Sequence, residues 1–373
     1  GLFDRTNGTA ESLSVTGNGE EGCFPEFSFY APALGISADG RFVAFSSEFC
    51  NLVPGDTNGT TGLIGVTGAM DIFVRDRLSG KTERVSVAAD GSQANDDSTA
   101  PAISPNGRYV IFQSRAANLV PSDTNGYEDI FLRDRALGTI ERVNLGPNGE
   151  QTDHRSFEPK ISADGRYIAF QSYATNLVPA DTNGYQDIFV RDRFFGTTVR
   201  ASLAHDGSQT ASPSYSLSLS ADGRYLAFVS SAANLVPNDT NAVQDVFVRD
   251  LLASTTRRVN VTPSGAEALA GSSGVSISAD GRYVAFDSYA TNLVPGDTNN
   301  VADIFVKDMA TDALVRVSVS ASGQQAAYHC TNPSISADGR YVAFQSQDPI
   351  LAEGAGDDGV GADALVVFNL LAP

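Results

Sequence analysis

The turn Ala-Asp-Gly-Arg, or a close variant of it, recurs at a nearly fixed interval. That constrains the fold more than any bulk property. Its Asp, replaced once by Asn, falls at Asp39, Asn106, Asp164, Asp222, Asp280 and Asp338, with separations of 67, 58, 58, 58 and 58 residues. The longer first step holds a nine-residue insertion between Gly59 and Asp71, within "TTGLIGVTGAM". A constant period of this length means stacked copies of one supersecondary unit.

Each unit reads as four short strands. In the third they are "PKIS" (159–162), "RYIAFQS" (166–172), "DIFVRD" (187–192) and "TTVRASL" (197–203). β-branched and aromatic runs broken by Asp-Gly and Gly are hairpin signals. No apolar period of helical length appears, so the chain is expected to be all-β. Six four-stranded antiparallel units around an axis make a six-bladed β-propeller. The ends add to this. The last unit stops after a third strand, "DALVVFNLL" (363–371), while "LFDRTNGTAESLSV" matches "FVRDRFFGTTVRASL", Asp4-Arg5 falling on Asp192-Arg193 and Gly8-Thr9 on Gly196-Thr197. Residues 1–16 are therefore expected to complete blade six, with 9–15 paired beside 363–369. That would close the ring, remove two open sheet edges and make residues 1–373 one domain.

The "SADGRYVAF" hairpin followed by "DIFVRD" resembles the WD-repeat-like propeller unit of TolB and of many secreted bacterial proteins. The resemblance covers all six units and implies the propeller fold, a protein-binding role and a secreted or periplasmic location. TolB's additional N-terminal α/β domain has no counterpart here. Related propellers also precede serine peptidase domains, but no G-x-S-x-G elbow occurs in this chain.

The balance of charge is acidic, 44 Asp+Glu against 25 Lys+Arg, net −19. Such a surface repels nucleic acid and anionic membranes, which select basic residues. No apolar run approaches a membrane span. The chain opens at Gly1 rather than Met, which fits removal of a leader or upstream domain. Cys23, Cys50 and Cys330 permit one disulfide, Cys23–Cys50 or Cys50–Cys330, or three thiols.

Part of the acidity repeats. A D-x-N-x3-D pattern precedes the third strand at Asp56/Asn58/Asp71 (across the insertion), Asp123/Asn125/Asp129, Asp181/Asn183/Asp187, Asp239/Asn241/Asp245 and Asp297/Asn299/Asp303. In unit six it survives as Asp357/Gly359/Asp363. Turn chemistry accounts for "DTNG", but not for a carboxylate at the head of a strand, where Asp is disfavoured. Two carboxylates about 5 Å apart at an effective dielectric of about 20 repel by about 3 kcal/mol. A cation would offset this, and alternating oxygen ligands on a Gly-containing loop suit calcium. Calcium at several loops is the expectation, and turn capping alone is its rival. Another recurring position, Glu21, Gln93, Gln151, Gln209, Glu267 and Gln325, is expected to tie the crossover between units to a neighbouring loop.

Strand order places the acidic loops, the crossovers and the insertion Gly62–Met70 at one end of each blade, and the "ADGR" and "RDRxxG" turns at the other. Positions that recur in every blade report construction, so an asymmetric site must come from positions where blades differ. The lead-ins to strand one differ most. They bring Tyr30, Asp96, Asp97, His154, Arg155, Glu158, Lys160, Tyr215, Tyr328, His329 and Asn332 toward the channel mouth as candidate ligand-binding residues. His154 and His329, paired with Asp96 or Glu158, are candidates for acid–base work, and His205 is expected to point outward. The expected function is non-catalytic: a calcium-stabilised, secreted or periplasmic propeller binding a protein or glycan through its loop-rich end. The alternative is a hydrolase or lyase acting on an extracellular polymer such as a polysaccharide.

Overall fold

The computed structural model describes residues 2–4, 9–11, 13, 34–58, 68–351 and 364–370. Strands β1 (Leu2–Asp4) and β2 (Thr9–Glu11) form a two-stranded sheet. Sheet one is β3 (Leu34–Ile36), β4 (Phe42–Ser47), β5 (Asp71–Asp76) and β6 (Lys81–Arg84). Sheet two is β7 (Ser98–Ile103), β8 (Tyr109–Ser114), β9 (Asp129–Asp134) and β10 (Thr139–Arg142). Sheet three is β11 (Ser156–Ile161), β12 (Tyr167–Ser172), β13 (Asp187–Asp192) and β14 (Thr197–Arg200). Sheet four is β15 (Ser214–Leu219), β16 (Tyr225–Ser230), β17 (Asp245–Asp250) and β18 (Thr255–Arg258). Sheet five is β19 (Ser272–Ile277), β20 (Tyr283–Ser288), β21 (Asp303–Asp308) and β22 (Leu314–Arg316). Sheet six is β23 (Cys330–Ile335), β24 (Tyr341–Ser346) and β25 (Ala364–Asn369). In each of the six sheets the strands lie side by side in chain order. The fold is a six-bladed β-propeller. Among the described residues there is no α-helix, and so none long and apolar enough to cross a membrane.

The recurring turn builds the first hairpin and then locks the second. In blade four, Asp222 Oδ1 accepts hydrogen bonds from Ser220 Oγ (2.6 Å) and the Arg224 backbone N–H (3.0 Å), and Gly223 takes φ +74° to close the turn. Arg224 then reaches across the strands to hold Asp250 through two nitrogens, at 3.1 and 2.7 Å. The "R" of ADGR and the "D" of FVRD are therefore one interaction, which explains why they recur together. It is repeated as Arg41–Asp76, Arg108–Asp134, Arg166–Asp192 and Arg282–Asp308.

The second and third strands are buried on both faces. Ala227, Phe228 and Val229 face Val246, Phe247 and Val248, all at or near zero exposure. The paired phenylalanines stack at 5.7 Å in blades four and five and at 6.0 Å in blade two. A strand loses the usual alternation of apolar and polar residues when both its faces are covered. That is why these runs read as continuous apolar stretches.

The first strands begin earlier than the sequence suggests. β11 starts at Ser156 because a bulge between Phe157 and Lys160 keeps both ends of the strand in register. Glu158 takes φ +51° at the bulge, as Ala100, Ser216 and Asn332 do at the matching positions.

The chain ends differ from the expectation that 9–15 pair beside 363–369. Among the described residues β2 pairs with β1, Asp4 opposite Thr9, and β25 pairs with β24 alone. The β1–β2 pair is local in sequence. Its register is nonetheless the one read from the sequence. Glu11 accepts from Arg77 at 2.8 Å, as Glu83 does from Arg135 and Glu141 from Arg193.

Candidate functional site

The acidic loops are built around an arginine. Asp129 heads β9 with no solvent exposure. Its Oδ1 accepts from Asn144 Nδ2 (2.6 Å) and Thr152 Oγ1 (3.0 Å), and its Oδ2 accepts from Arg142 (3.0 Å) and Asn125 Nδ2 (3.1 Å). Arg142, at the end of β10, also pairs with Asp123 at 3.1 Å. One guanidinium thus bridges both carboxylates of the motif. The same bridge joins Arg84 to Asp56 and Asp71, Arg200 to Asp181 and Asp187, Arg258 to Asp239 and Asp245, and Arg316 to Asp297 and Asp303, at 2.9–3.5 Å. Each of these arginines stands thirteen residues after the second acid of its motif.

Burial shapes the protonation of these groups. It pushes the Asp71 carboxyl up to about 6, against the pull of Ser86 and Arg84. Burial, then the neighbouring acid, raises Asp123, Asp239 and Asp297. Glu267 moves the other way, to about 2, because the hydroxyl and backbone N–H of Thr240 hydrogen-bond to it.

The recurring Gln/Glu belongs to the same assembly. Gln151 Oε1 accepts from the N–H groups of Thr124 and Asn125 and from Arg142, at 3.0–3.2 Å, while its Nε2 donates to Ser122 O. Gln93, Gln209, Glu267 and Gln325 tie the matching threonines. The crossover is fastened to the acidic loop as expected.

A divalent ion fits this donor set poorly. A guanidinium already bridges each described carboxylate pair, and Asn125, Asn183, Asn241 and Asn299 turn the N–H₂ of their amide toward the acid. The middle residue of the first motif, Asn58, also departs from the expected calcium ligand. Its Nδ2 donates to the Ala94 carbonyl at 2.9 Å, and its amide hydrogen-bonds to Asp71 and helps to hold that carboxylate charged. Ala326 O receives Asn299 in the same way, at 2.8 Å. These asparagines therefore meet the acids as donors, whereas a metal would need their oxygens. The Asn58 Oδ1 is buried with no hydrogen-bond partner among the described residues, while the matching oxygens of Asn125 and Asn183 accept the N–H two residues on. Asp56 Oδ1 and Asp297 Oδ1 are also buried without a hydrogen bond, but each stands 3.2 Å from its bridging arginine, so these oxygens already face a cation that the chain supplies. Among the described residues no three Asp, Glu, His or Cys side chains converge as metal ligands. Asp357 and Asp363 of the sixth motif, together with Tyr30, Cys23 and most of the insertion, lie outside the described residues.

The remaining candidates separate into small groups. His154 stacks on Tyr127, with ring centroids 5.0 Å apart and planes 11° from parallel, and sits 5.4 Å from Tyr173. Arg155 lies over Phe157 (5.3 Å) and Tyr173 (5.1 Å) and forms no ion pair among the described residues. Tyr127, His154 and Arg155 are exposed, while Phe157 and Tyr173 are half-buried beneath them. His329 meets Tyr289 edge-on at 5.4 Å, beside an exposed Tyr328. Glu158 accepts from Gln171 (2.6 Å), and Asn332 donates to Gln345 (2.8 Å). Asp97 accepts from the Met70 N–H (2.8 Å), and Asp96 from the Asp97 N–H (2.7 Å). Tyr215 packs into the core of blades four and five, Lys160 is exposed on β11, and His205 is exposed, as expected.

The acid–base pairs do not form. His154 Nδ1 accepts the backbone N–H of Arg155 at 2.9 Å, and His329 Nδ1 accepts that of Ala302 at 3.0 Å. Among the described residues no carboxylate hydrogen-bonds either ring. The Cys50–Cys330 bridge does not form either. The Cys330 thiol is free and buried, its pKa pushed up to about 11 by burial, and it donates to Ser346 where other blades pair two serines. Sequence reading missed Tyr127 and Tyr173, which lie in segments shared with other blades, and the bridging arginines.

No family model matches the sequence, and no curated protein matches it. Among solved structures the chain is similar to a putative TolB from Agrobacterium tumefaciens (18% identity, 78% of this chain and 81% of that one, TM-score 0.47). It is similar to TolB from Acinetobacter baumannii (16%, 75% and 55%, 0.41). A prolyl endopeptidase structure matches at 14% identity over 92% of this chain and 42% of that one, with a TM-score of 0.52. At these identities the likeness is one of fold.

Proposed function

We propose that this propeller is a non-catalytic binding module, extracytoplasmic in setting, that engages a protein partner with the loop end of its second and third blades. The observation that carries this is the stacked group Tyr127, His154, Tyr173 and Phe157, topped by the unpaired guanidinium of Arg155. The repeat itself serves as a control. One period later the matching residues are Tyr185, Ser212, Ser231, Tyr215 and Pro213. The cluster is therefore not part of blade construction. Exposed Tyr and Arg over a rigid aromatic base have the composition of an interface hot spot.

The acidic loops, in this reading, are structural joints neutralised by arginine, and calcium is not needed to hold them. The histidines, tied through Nδ1 to backbone N–H groups, position rings and do not transfer protons.

The test is site-specific photo-crosslinking from position 127 in an extract of the source organism, followed by affinity measurement on the captured partner. The double variant Tyr127→Ala/Arg155→Ala should weaken binding by at least about tenfold, since two such anchors are worth more than about 1.4 kcal/mol. Unchanged affinity would overturn the proposal. Binding of purified glycans, lost in the same variant, would replace the protein partner with a sugar.

A further inference from the structure

At the opposite end of the strands, the residue after strand three is Arg77, Arg135, Arg193, Leu251, Met309 and Leu370 in successive blades. The matching strand-four residue of the preceding copy is Glu11, Glu83, Glu141, Val199, Arg257 and Val315. Three of these couples are Arg with Glu, and two are apolar with apolar. Met309 with Arg257 fits neither kind.

Where arginine is present, it fills a slot between neighbouring blades. Arg135 lies 4.4 Å from the Phe42 ring centroid and donates to the Gly107 carbonyl and to Glu83. Arg193 lies 5.3 Å from the Tyr109 ring and donates to Gly165 O at 2.6 Å and to Glu141. Between blades four and five the slot stands open as a cleft of about 390 Å³ lined by Tyr225, Asp250, Arg257, Asp280, Gly281 and Met309, among others.

The receiving groups remain in place. Gly281 still stacks on Tyr225, so closely that a Cβ there would lie 2.2 Å from the ring. Its carbonyl accepts no hydrogen bond among the described residues. The charges at the rim are mostly spoken for: Arg257 pairs with Asp312 (2.9 Å), Arg282 with Asp308 (2.8 Å) and Asp250 with Arg224 (2.7 Å). Asp280 has no ion pair among the described residues; its Oδ1 accepts from Ser278 Oγ (2.6 Å) and the Arg282 N–H (3.0 Å), which leaves Oδ2 for a ligand.

We infer that this cleft receives an arginine side chain presented by a partner protein. An aromatic face, a free carbonyl and one unpaired carboxylate match a guanidinium's planar charge and forked donors, and the chain fills the same slot with its own arginine elsewhere.

The chain has two methionines, Met70 and Met309, so ¹³C-methyl labelling gives one reporter in the cleft and one outside it. A peptide of alanines with a central arginine should shift the Met309 signal saturably and leave Met70 in place. The lysine peptide should bind at least about tenfold more weakly, because an ammonium cannot stack or fork. Met309→Arg should fill the slot and abolish the peptide's effect on the Gly281 amide, with an undiminished melting temperature showing that it folds. Arg257→Glu, which restores the common couple, should tighten binding about tenfold. An unmoved Met309 signal, equal binding of the lysine peptide, or binding of free arginine amide without the peptide would each overturn the inference.

Discussion

Arg142 stands 3.0 Å from Asp129 and 3.1 Å from Asp123, with the arginine only 8% exposed and Asp129 fully buried. Removing one partner from a buried ionic network strands the other charges and costs about 3–5 kcal/mol. Arg142→Met should therefore lower unfolding stability by that amount in a denaturant titration. Adding Asp123→Asn and Asp129→Asn to it should recover much of the loss. A single-variant cost below about 1 kcal/mol would mean that the bridge does not hold the loop.

The fourth residue of the acidic turn is left-handed in every described unit with an uninterrupted loop. Gly126 and Gly184 occupy it at φ +71° and +69°, but Ala242 does so at +56°. A Cβ in that region costs about 1–2 kcal/mol. Ala242→Gly should stabilise the protein by about 0.5–1 kcal/mol after the extra chain entropy of glycine is counted. Thermal or chemical unfolding reads this directly, and a destabilised variant would contradict it.

Asp71, at about 6, holds its proton in the folded state through the range in which an unfolded Asp has already lost it near 3.9. Its folded pKa is raised, so the native state binds the extra proton between those values. Stability contributed by Asp71 therefore falls as pH climbs from about 4 to 6, by about 3 kcal/mol in total. Asp71→Asn should flatten that part of the stability–pH profile. An infrared carboxyl band assigned to Asp71 should titrate near 6, and a midpoint below 4.5 would refute the burial argument.

Much of the architecture is legible because the chain states it six times. Arg224 and Asp250 are 26 residues apart in sequence yet form one bidentate contact, and both sit in the motif that fixed the period. The counter-charge of the acidic loops was harder to see. Arg142 is in a different strand from Asp123 and Asp129, and an arginine in an exposed-looking "IERV" run carries no sign that its guanidinium turns inward. Calcium was the natural expectation when only the acids were in view. Nor does sequence tell which end of an asparagine amide faces an acid, and at Asn58 it is the nitrogen that makes the hydrogen bond to Ala94. The aromatic cluster was half visible. His154 and Arg155 stood out because their blade differs from the others there, while Tyr127 and Tyr173 were hidden in segments that recur. At the chain ends the register was legible, Glu11 meeting Arg77 as Glu83 meets Arg135, while among the described residues β2 pairs with β1.

In this reading arginine, and not a metal, neutralises the repeated acids. Differential scanning calorimetry of the wild-type protein, in excess chelator and then in millimolar calcium, tests it most directly. One unfolding midpoint is expected, unchanged within about 1–2 °C, since a ligand that does not bind the native state cannot stabilise it. A midpoint that falls by several degrees in chelator and returns with calcium would contradict it.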